Sequence, residues 1–267
     1  MMLYKYIPLA RGSEIIRRNQ VCFSLSENFN DPFDKPRYPR DRSLTLMEEL
    51  LDPLQRVGKE LAWATMTGIL SLTRTPANPL MWAHYASGHT GMVIGFDAVA
   101  AGFTDEATNL IPAQFGSVVY VSRRPTTPFL TKHITPLNVG NSHHFVLEHY
   151  EKLQRIFLHK SIHWSYEEEV RVVKSLSNQS DRGGVTLSGS FDTISANDTR
   201  YHMYHLPAGA IKDIYFGLHS DHEKSDEIYY HAKERYPQIR AHDCVLDDSA
   251  LAVDFADYTT MAEAASP

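Results

Sequence analysis

Three features of the sequence predict an α+β fold. Short segments with strand-like alternation are interleaved with helical segments at uneven spacing, which fits mixed layers better than a regular doubly wound sheet. The 267 residues are 43% hydrophobic and 22% charged, enough apolar material for a substantial core. No internal repeat, glycine-rich phosphate loop or long linker interrupts the chain, so one domain over 1–257 is expected, followed by a loose tail at 258–267.

The opening run 3–7 is rich in aromatic and β-favouring residues and stops at Pro8, which reads as a strand. Ser13 can cap a short helix behind it. Val21, Phe23 and Leu25 then alternate with Cys22, Ser24 and Ser26, the period of a half-buried strand, and Asn30-Asp31-Pro32 marks a turn. Residues 35–43 are polar and proline-broken. Met47, Leu50, Leu51, Leu54, Val57 and Leu61 recur at helical spacing, so a helical insertion is expected over 44–66, with Asp52-Pro53 starting a second helical piece. Residues 69–73 are strand-like. Asn78, Pro79 and Gly88 supply the N-cap, first-position proline and glycine stop of a compact helix.

Residues 92–96 are nearly all apolar, which predicts a buried central strand, and 118–121 predicts another. After a proline-rich loop, Val146, Tyr150, Leu153 and Phe157 form the apolar face of a long helix. Residues 166–174 alternate again. Further strands are expected at 201–206, 211–216 and 251–255, with a capped helix over 221–235 between the last two.

Acidic residues outnumber basic ones by 32 to 26, a formal charge of -6 that argues against a nucleic-acid binder held mainly by phosphate contacts. Two cysteines, Cys22 and Cys244, exclude a disulfide scaffold, a four-cysteine zinc site and a CxxC redox pair. No window approaches the ~20 apolar residues of a membrane span, so a cytoplasmic protein with no membrane partner is expected.

The densest polar constellation is 164–171. On a strand, Glu167, Glu169 and Arg171 project from one face, either as a tuned carboxylate or as a surface ion pair. Trp82, His84 and Tyr85 can sandwich a heterocycle, although the i,i+3 spacing of Trp82 and Tyr85 also suits core packing. Lys5 faces away from Tyr4 and Tyr6, as a snorkelling edge residue or an anion clamp. His159 with His163, and His202 with His205, raise the question of a metal. Lys160 stands where a zincin pattern needs glutamate, and no metal site is expected. The basic stretch 35–42 is diluted by Asp31, Asp34 and Asp41.

Several of these segments together resemble an uncharacterised bacterial family, domain of unknown function 2971. The resemblance rests on Leu3-Tyr4-Lys5-Tyr6, Phe23-Ser24 leading to Phe29-Asn30-Asp31-Pro32-Phe33-Asp34, and Leu70-Ser71-Leu72 with Met81-Trp82-Ala83-His84-Tyr85-Ala86. It continues through Gly91, Gly95-Phe96-Asp97, Trp164-Ser165-Tyr166-Glu167-Glu168-Glu169-Val170-Arg171 and Ile214-Tyr215-Phe216-Gly217.

At greater distance the motif order is similar to that of the ADP-ribosyltransferase superfamily. There a first strand carries a histidine or arginine for NAD, a middle strand and helix carry a serine or aromatic residue beside the nicotinamide, and a late strand opens with a catalytic glutamate. Lys5 stands at the first position, a departure from histidine or arginine, Ser71 and Tyr85 in the middle element, and Glu167-Glu168-Glu169 at the last. The resemblance implies a split mixed or antiparallel sheet with flanking helices. It implies NAD as substrate, with ADP-ribose passed to a macromolecular acceptor or to water. Glu169 would then stabilise the oxocarbenium-like charge and Glu167 would position or deprotonate the acceptor. Lys5, Ser71, Trp82, His84, Tyr85 and Arg171 would bind the dinucleotide. Two other readings are a non-enzymatic nucleotide sensor using Trp82, Tyr85 and Arg171, and a metal-dependent nuclease.

Overall fold

The structure of the chain, a computed structural model, describes residues 1–37, 46–127, 129–130, 143–176, 184–196, 199–247 and 249–264. The chain opens with β1 (Met2–Ile7), α1 (Leu9–Arg18) and β2 (Gln20–Phe23), followed by α2 (Leu46–Met66), β3 (Thr67–Thr73), α3 (Pro79–Tyr85) and β4 (Met92–Asp97). Next come β5 (Val119–Val121), α4 (Tyr150–Phe157), β6 (His159–Ser161) and β7 (Glu169–Ser175). The strands β8 (Gly184–Thr186), β9 (Gly189–Ala196) and β10 (Thr199–His205) lead to β11 (Ile211–Phe216) and α5 (His222–Arg235). The chain continues through β12 (Arg240–Asp247), β13 (Ala252–Asp257) and α6 (Met261–Ala264).

Seven strands form a mixed sheet in the order β13-β12-β11-β4-β1-β3-β7, so the fold is α+β as expected. Within this sheet, among the described residues, only β11 and β12 pair in parallel, and α5 makes the crossover between them. The strand β4 lies in the middle and is buried from Met92 to Phe96, as its unbroken apolar run demands. A four-stranded antiparallel sheet, β2-β10-β9-β8, packs with α1 and α5 on one face through Ile16, Phe23, Phe191 and Ile228. The helix α3 covers part of the other face through Trp82, against Tyr6, Val93 and Tyr215. Beside it, Trp63 of α2 and Leu153, Ile156 and Phe157 of α4 pack on Ile69 and Val173.

The sheet is nearly parted between β1 and β3. While β1 pairs with β4 along its whole length and β3 with β7 along its whole length, β1 and β3 share only the pair Tyr4 and Thr73. Two rungs further along the same edge of β3, Ile69 pairs with Ser24 just beyond β2. Between those rungs Ser71 has no strand partner on that edge, and its carbonyl instead accepts a hydrogen bond from Lys5 Nζ at 3.3 Å. A side chain thus replaces a missing ladder bond, and a cleft opens in the sheet.

Several local expectations change. The helix α1 starts directly after Pro8, whose φ of -57° turns the chain as β1 ends, so Ser13 lies inside the helix and caps nothing. The expected second helical piece at Pro53 is instead a continuation: α2 runs unbroken from Leu46 to Met66. The predicted strand 166–174 begins only at Glu169, because residues 162–167 form 3-10 turns and Glu168 takes a left-handed conformation with φ 45°. The helix over 146–157 is shorter than its apolar spacing suggested, with 3-10 geometry before Tyr150. Residues 258–264, expected as a loose tail, dock on α5: Tyr258 Oη donates to Asp226 at 2.6 Å and Thr260 is buried. Residues 38–45 of the proline-broken stretch, most of the proline-rich loop and 265–267 lie outside the described residues. Among the described residues no helix is long and apolar enough to cross a membrane.

Candidate functional site

The cleft between β1 and β3 has a volume of ≈ 390 Å³. Lys5, Ser71, His84, Tyr85, Glu167 and Glu169 all line it. Six of the eight residues singled out from the sequence are therefore brought to one hollow, with Lys5 from β1 on one wall and, on the other, Glu167 from the 3-10 turn and Glu169 from the start of β7.

Trp82 and Arg171 are not on its surface. Trp82 is fully buried under α3, edge-on to Tyr6 with ring centroids 5.3 Å apart, and its Nε1 donates to the Pro76 carbonyl at 2.8 Å. It is a packing residue, the alternative its spacing left open, and cannot touch a ligand in the cleft. Arg171 is 2% exposed and lies behind the wall. Its guanidinium donates to Glu169 through Nε at 2.9 Å, to the Phe157 carbonyl at 2.6 Å, and to Asp34. All seven residues of β7 are buried, so Glu169 and Arg171 form a buried ion pair and not the surface pair that was one of the two alternatives.

Glu167 and Glu169 do not share a strand face as the alternation suggested. The left-handed turn at Glu168 folds Glu167 back, and the two carboxylates are held by one ammonium, that of Lys160 on β6. Lys160 Nζ is 3.0 Å from Glu169 Oε2 and 3.7 Å from Asp34 Oδ2, and it also bonds Glu167. A two-stranded ladder places it there, because β5 and β6 pair Tyr120 with Lys160, and Tyr120 Oη accepts the backbone N–H of Glu169 at 2.8 Å. Gly116 permits the close approach of the preceding loop to β7: a Cβ there would lie 1.9 Å from the Arg171 carbonyl oxygen.

The two carboxyls are tuned apart. Burial alone would raise both. At Glu169 the Arg171 and Lys160 charges overcome burial and hold the carboxyl well below the usual range. At Glu167 burial wins, helped by repulsion from Glu169, and its pKa is raised despite Lys160. Tyr85 Oη donates to Glu167 at 2.5 Å, and burial together with this bond pushes the phenol up, so it stays a donor. Burial lowers the pKa of Lys5, which has no carboxylate in contact among the described residues. Thr73 Oγ1, also on the cleft wall, is buried with no hydrogen-bond partner.

The capping of α3 fixes Tyr85 against this pair. Asn78 Oδ1 accepts from the N–H groups of Leu80 and Met81, at 2.9 and 3.3 Å, and its Nδ2 donates to the Tyr166 carbonyl at 2.6 Å. One side chain thereby ties the helix carrying Tyr85 to the turn carrying Glu167.

Three members of the site lie outside the candidates singled out from the sequence: Lys160, Asp34 and Tyr120. Lys160 is a charged residue separated only by His159 from the apolar run Ile156-Phe157-Leu158, a signal that it is buried and paired. Asp34 closes the Phe29–Asp34 motif, whereas nothing in the spacing marks Tyr120.

No curated protein and no solved structure matches the chain. Residues 81–172 match the model of a family described as a protein of unknown function (DUF2971), a span that runs from α3 into β7 and so contains Tyr85, Lys160, Glu167 and Glu169 of the cleft wall, and Arg171 behind it, but not Lys5 or Ser71.

Proposed function

We propose that the cleft binds NAD as substrate and breaks its nicotinamide–ribose bond, passing ADP-ribose to a macromolecular acceptor or to water. The observation that carries this is the pair of oppositely tuned carboxyls, Glu167 and Glu169, lining one cleft with Lys5, which has no carboxylate in contact among the described residues. Diverging pKa values mark carboxyls with separate roles, here Glu169 fixing the wall and Glu167 facing the substrate. The order of Lys5, Ser71, Tyr85 and Glu167 to Glu169 along the chain, similar to that of the ADP-ribosyltransferases, is the sequence argument for the same chemistry.

Glu169 has both oxygens occupied by Arg171 and Lys160, so its charge is largely offset and it serves to fix Lys160 and the wall. Glu167 is the better candidate for contact with the ribose. It is held from behind by Lys160 and from the side by Tyr85. In its ionised form it favours the positive charge that builds on the sugar as nicotinamide leaves. Tyr85 and His84 offer an aromatic flank for the nicotinamide, and Ser71 and Thr73 offer hydroxyls for the sugar or amide.

The test is release of nicotinamide from labelled NAD by the purified protein, alone and with cell extract. Glu167→Gln is expected to slow release by about 100-fold. Absence of both release and NAD binding, or release unchanged in Glu167→Gln, refutes the assignment. A non-enzymatic nucleotide sensor is the second reading, favoured by the extent to which Lys160 and Arg171 already neutralise the acidic wall; it predicts NAD binding without turnover. The nuclease reading has less support, since a divalent ion held by Asp34, Glu167 and Glu169 would have to displace Lys160.

A further inference from the structure

A second cavity of ≈ 490 Å³ adjoins the first, and Lys5, Tyr6, Ser24 and Tyr85 line both. It lies between α1 and the four-stranded sheet, with Arg11 and Ile15 on one side and Ile194, Tyr201 and Met203 on the other. Tyr201 and Ile194 are register partners on β10 and β9 and form a side-by-side apolar floor.

The charges at this junction are not balanced. Arg18, on the same wall, is tied to Glu14 at 2.6 Å. Arg11 has no carboxylate in contact among the described residues, and Lys5 donates only to the Ser71 carbonyl. In a chain of net charge -6, two uncompensated cations beside one opening form an anion site, strongest for the oxygens of a phosphate. Size points the same way. Small-molecule sites span roughly 300–1,000 Å³; the first cavity at ≈ 390 Å³ lies near the lower end, and the adjoining ≈ 490 Å³ adds room for a ligand as extended as a dinucleotide.

We propose that the second cavity holds the adenosine half of a dinucleotide whose glycosidic bond lies in the first, with the nicotinamide-side phosphate on Lys5, the adenosine-side phosphate on Arg11, and the base against Tyr201 and Met203. The assignment rests on the reading of the first cavity given above. It makes Arg11 a specificity residue for extended nucleotides.

Calorimetric titration with ADP-ribose and with nicotinamide mononucleotide tests it on the wild type and Arg11→Ala. Arg11 is exposed on α1 and alanine is the better helix former, so the variant folds. ADP-ribose is expected to bind the wild type and to lose about tenfold or more in affinity in Arg11→Ala, with nicotinamide mononucleotide unchanged. Absent ADP-ribose binding, equal affinity in both proteins, or equal losses for both ligands overturns the proposal. If NAD is not cleaved yet Arg11→Ala still weakens ADP-ribose selectively, the subsite stands and the glycosidic chemistry falls. If NAD is cleaved with the same KM by both proteins, the chemistry stands and the subsite falls.

Discussion

Replacing Lys160 with methionine is the most direct probe of the charged wall. The ammonium contacts Glu167 and lies 3.0 Å from Glu169 and 3.7 Å from Asp34, with a side chain 6% exposed. Glu169 and Asp34 keep Arg171 when it is removed, but Glu167 keeps only Tyr85. Breaking a buried pair from one side costs about 3–5 kcal/mol because a charge is left uncompensated. Here the loss is pH-dependent. Without Lys160 the Glu167 carboxyl, already raised, rises further and takes up a proton as pH falls, so the folded state then binds more protons than the unfolded one. Stability is recovered on acidification by up to about 1.4 kcal/mol per pH unit. Urea unfolding at pH 8 and pH 5.5 should therefore show a loss of about 3–5 kcal/mol at the higher pH and a clearly smaller one at the lower. In the Lys160→Met, Glu167→Gln double variant the pair should be coupled by about 1 kcal/mol or more. A loss that is the same at both pH values, or below about 1 kcal/mol at pH 8, refutes the account of the wall.

Wild-type stability should also decline on both sides of a maximum. The lowered Glu169 stabilises above the ordinary carboxylate value of 4.5 and that contribution is lost as pH falls, while the raised Glu167 stabilises below 4.5 and its contribution is lost as pH rises through its folded value. Denaturant midpoints across pH for wild type and Glu169→Gln check this, the variant losing the decline on the acid side. Trp82→Phe should cost about 1–3 kcal/mol by stranding the Pro76 carbonyl, with nicotinamide mononucleotide affinity unchanged by calorimetry. Gly58→Ala on the exposed face of α2, with open space around its Cβ, should add about 1 kcal/mol by thermal unfolding. Gly116→Ala in the same assay should destabilise strongly, because its Cβ would overlap the Arg171 carbonyl.

The parts of the fold legible in the sequence are those whose signal is local. Asn78-Pro79 marked α3, the apolar run at 92–96 marked β4, and Asp221 marked α5, whose Lys224 N–H it caps at 3.2 Å. The strands β6, β8, β9 and β12 were not anticipated. His159–Ser161 is three residues long and Arg240–Asp247 carries charge along its length, so pairing with neighbours rather than propensity makes them strands. The two glutamates of the cleft were visible, but the alternation that joined them hid the left-handed turn at Glu168, which no hydrophobic period encodes. Asp34 reaches the wall from 137 residues before Arg171, and Lys160, close in sequence, is aimed there only by the pairing of β5 with β6; a motif read along the chain has no access to that convergence.

The single Tyr4–Thr73 rung has a mechanical consequence. One side of the cleft is tied to β1, β4 and β11 and the other to β3 and β7, so relative twist between these two slabs changes the reach from Lys5 to Glu167 without a rotamer change in either side chain. Occupancy of the hollow should accordingly be reported by slower amide exchange along the facing edges of β1 and β3, at residues that need make no contact with what is bound.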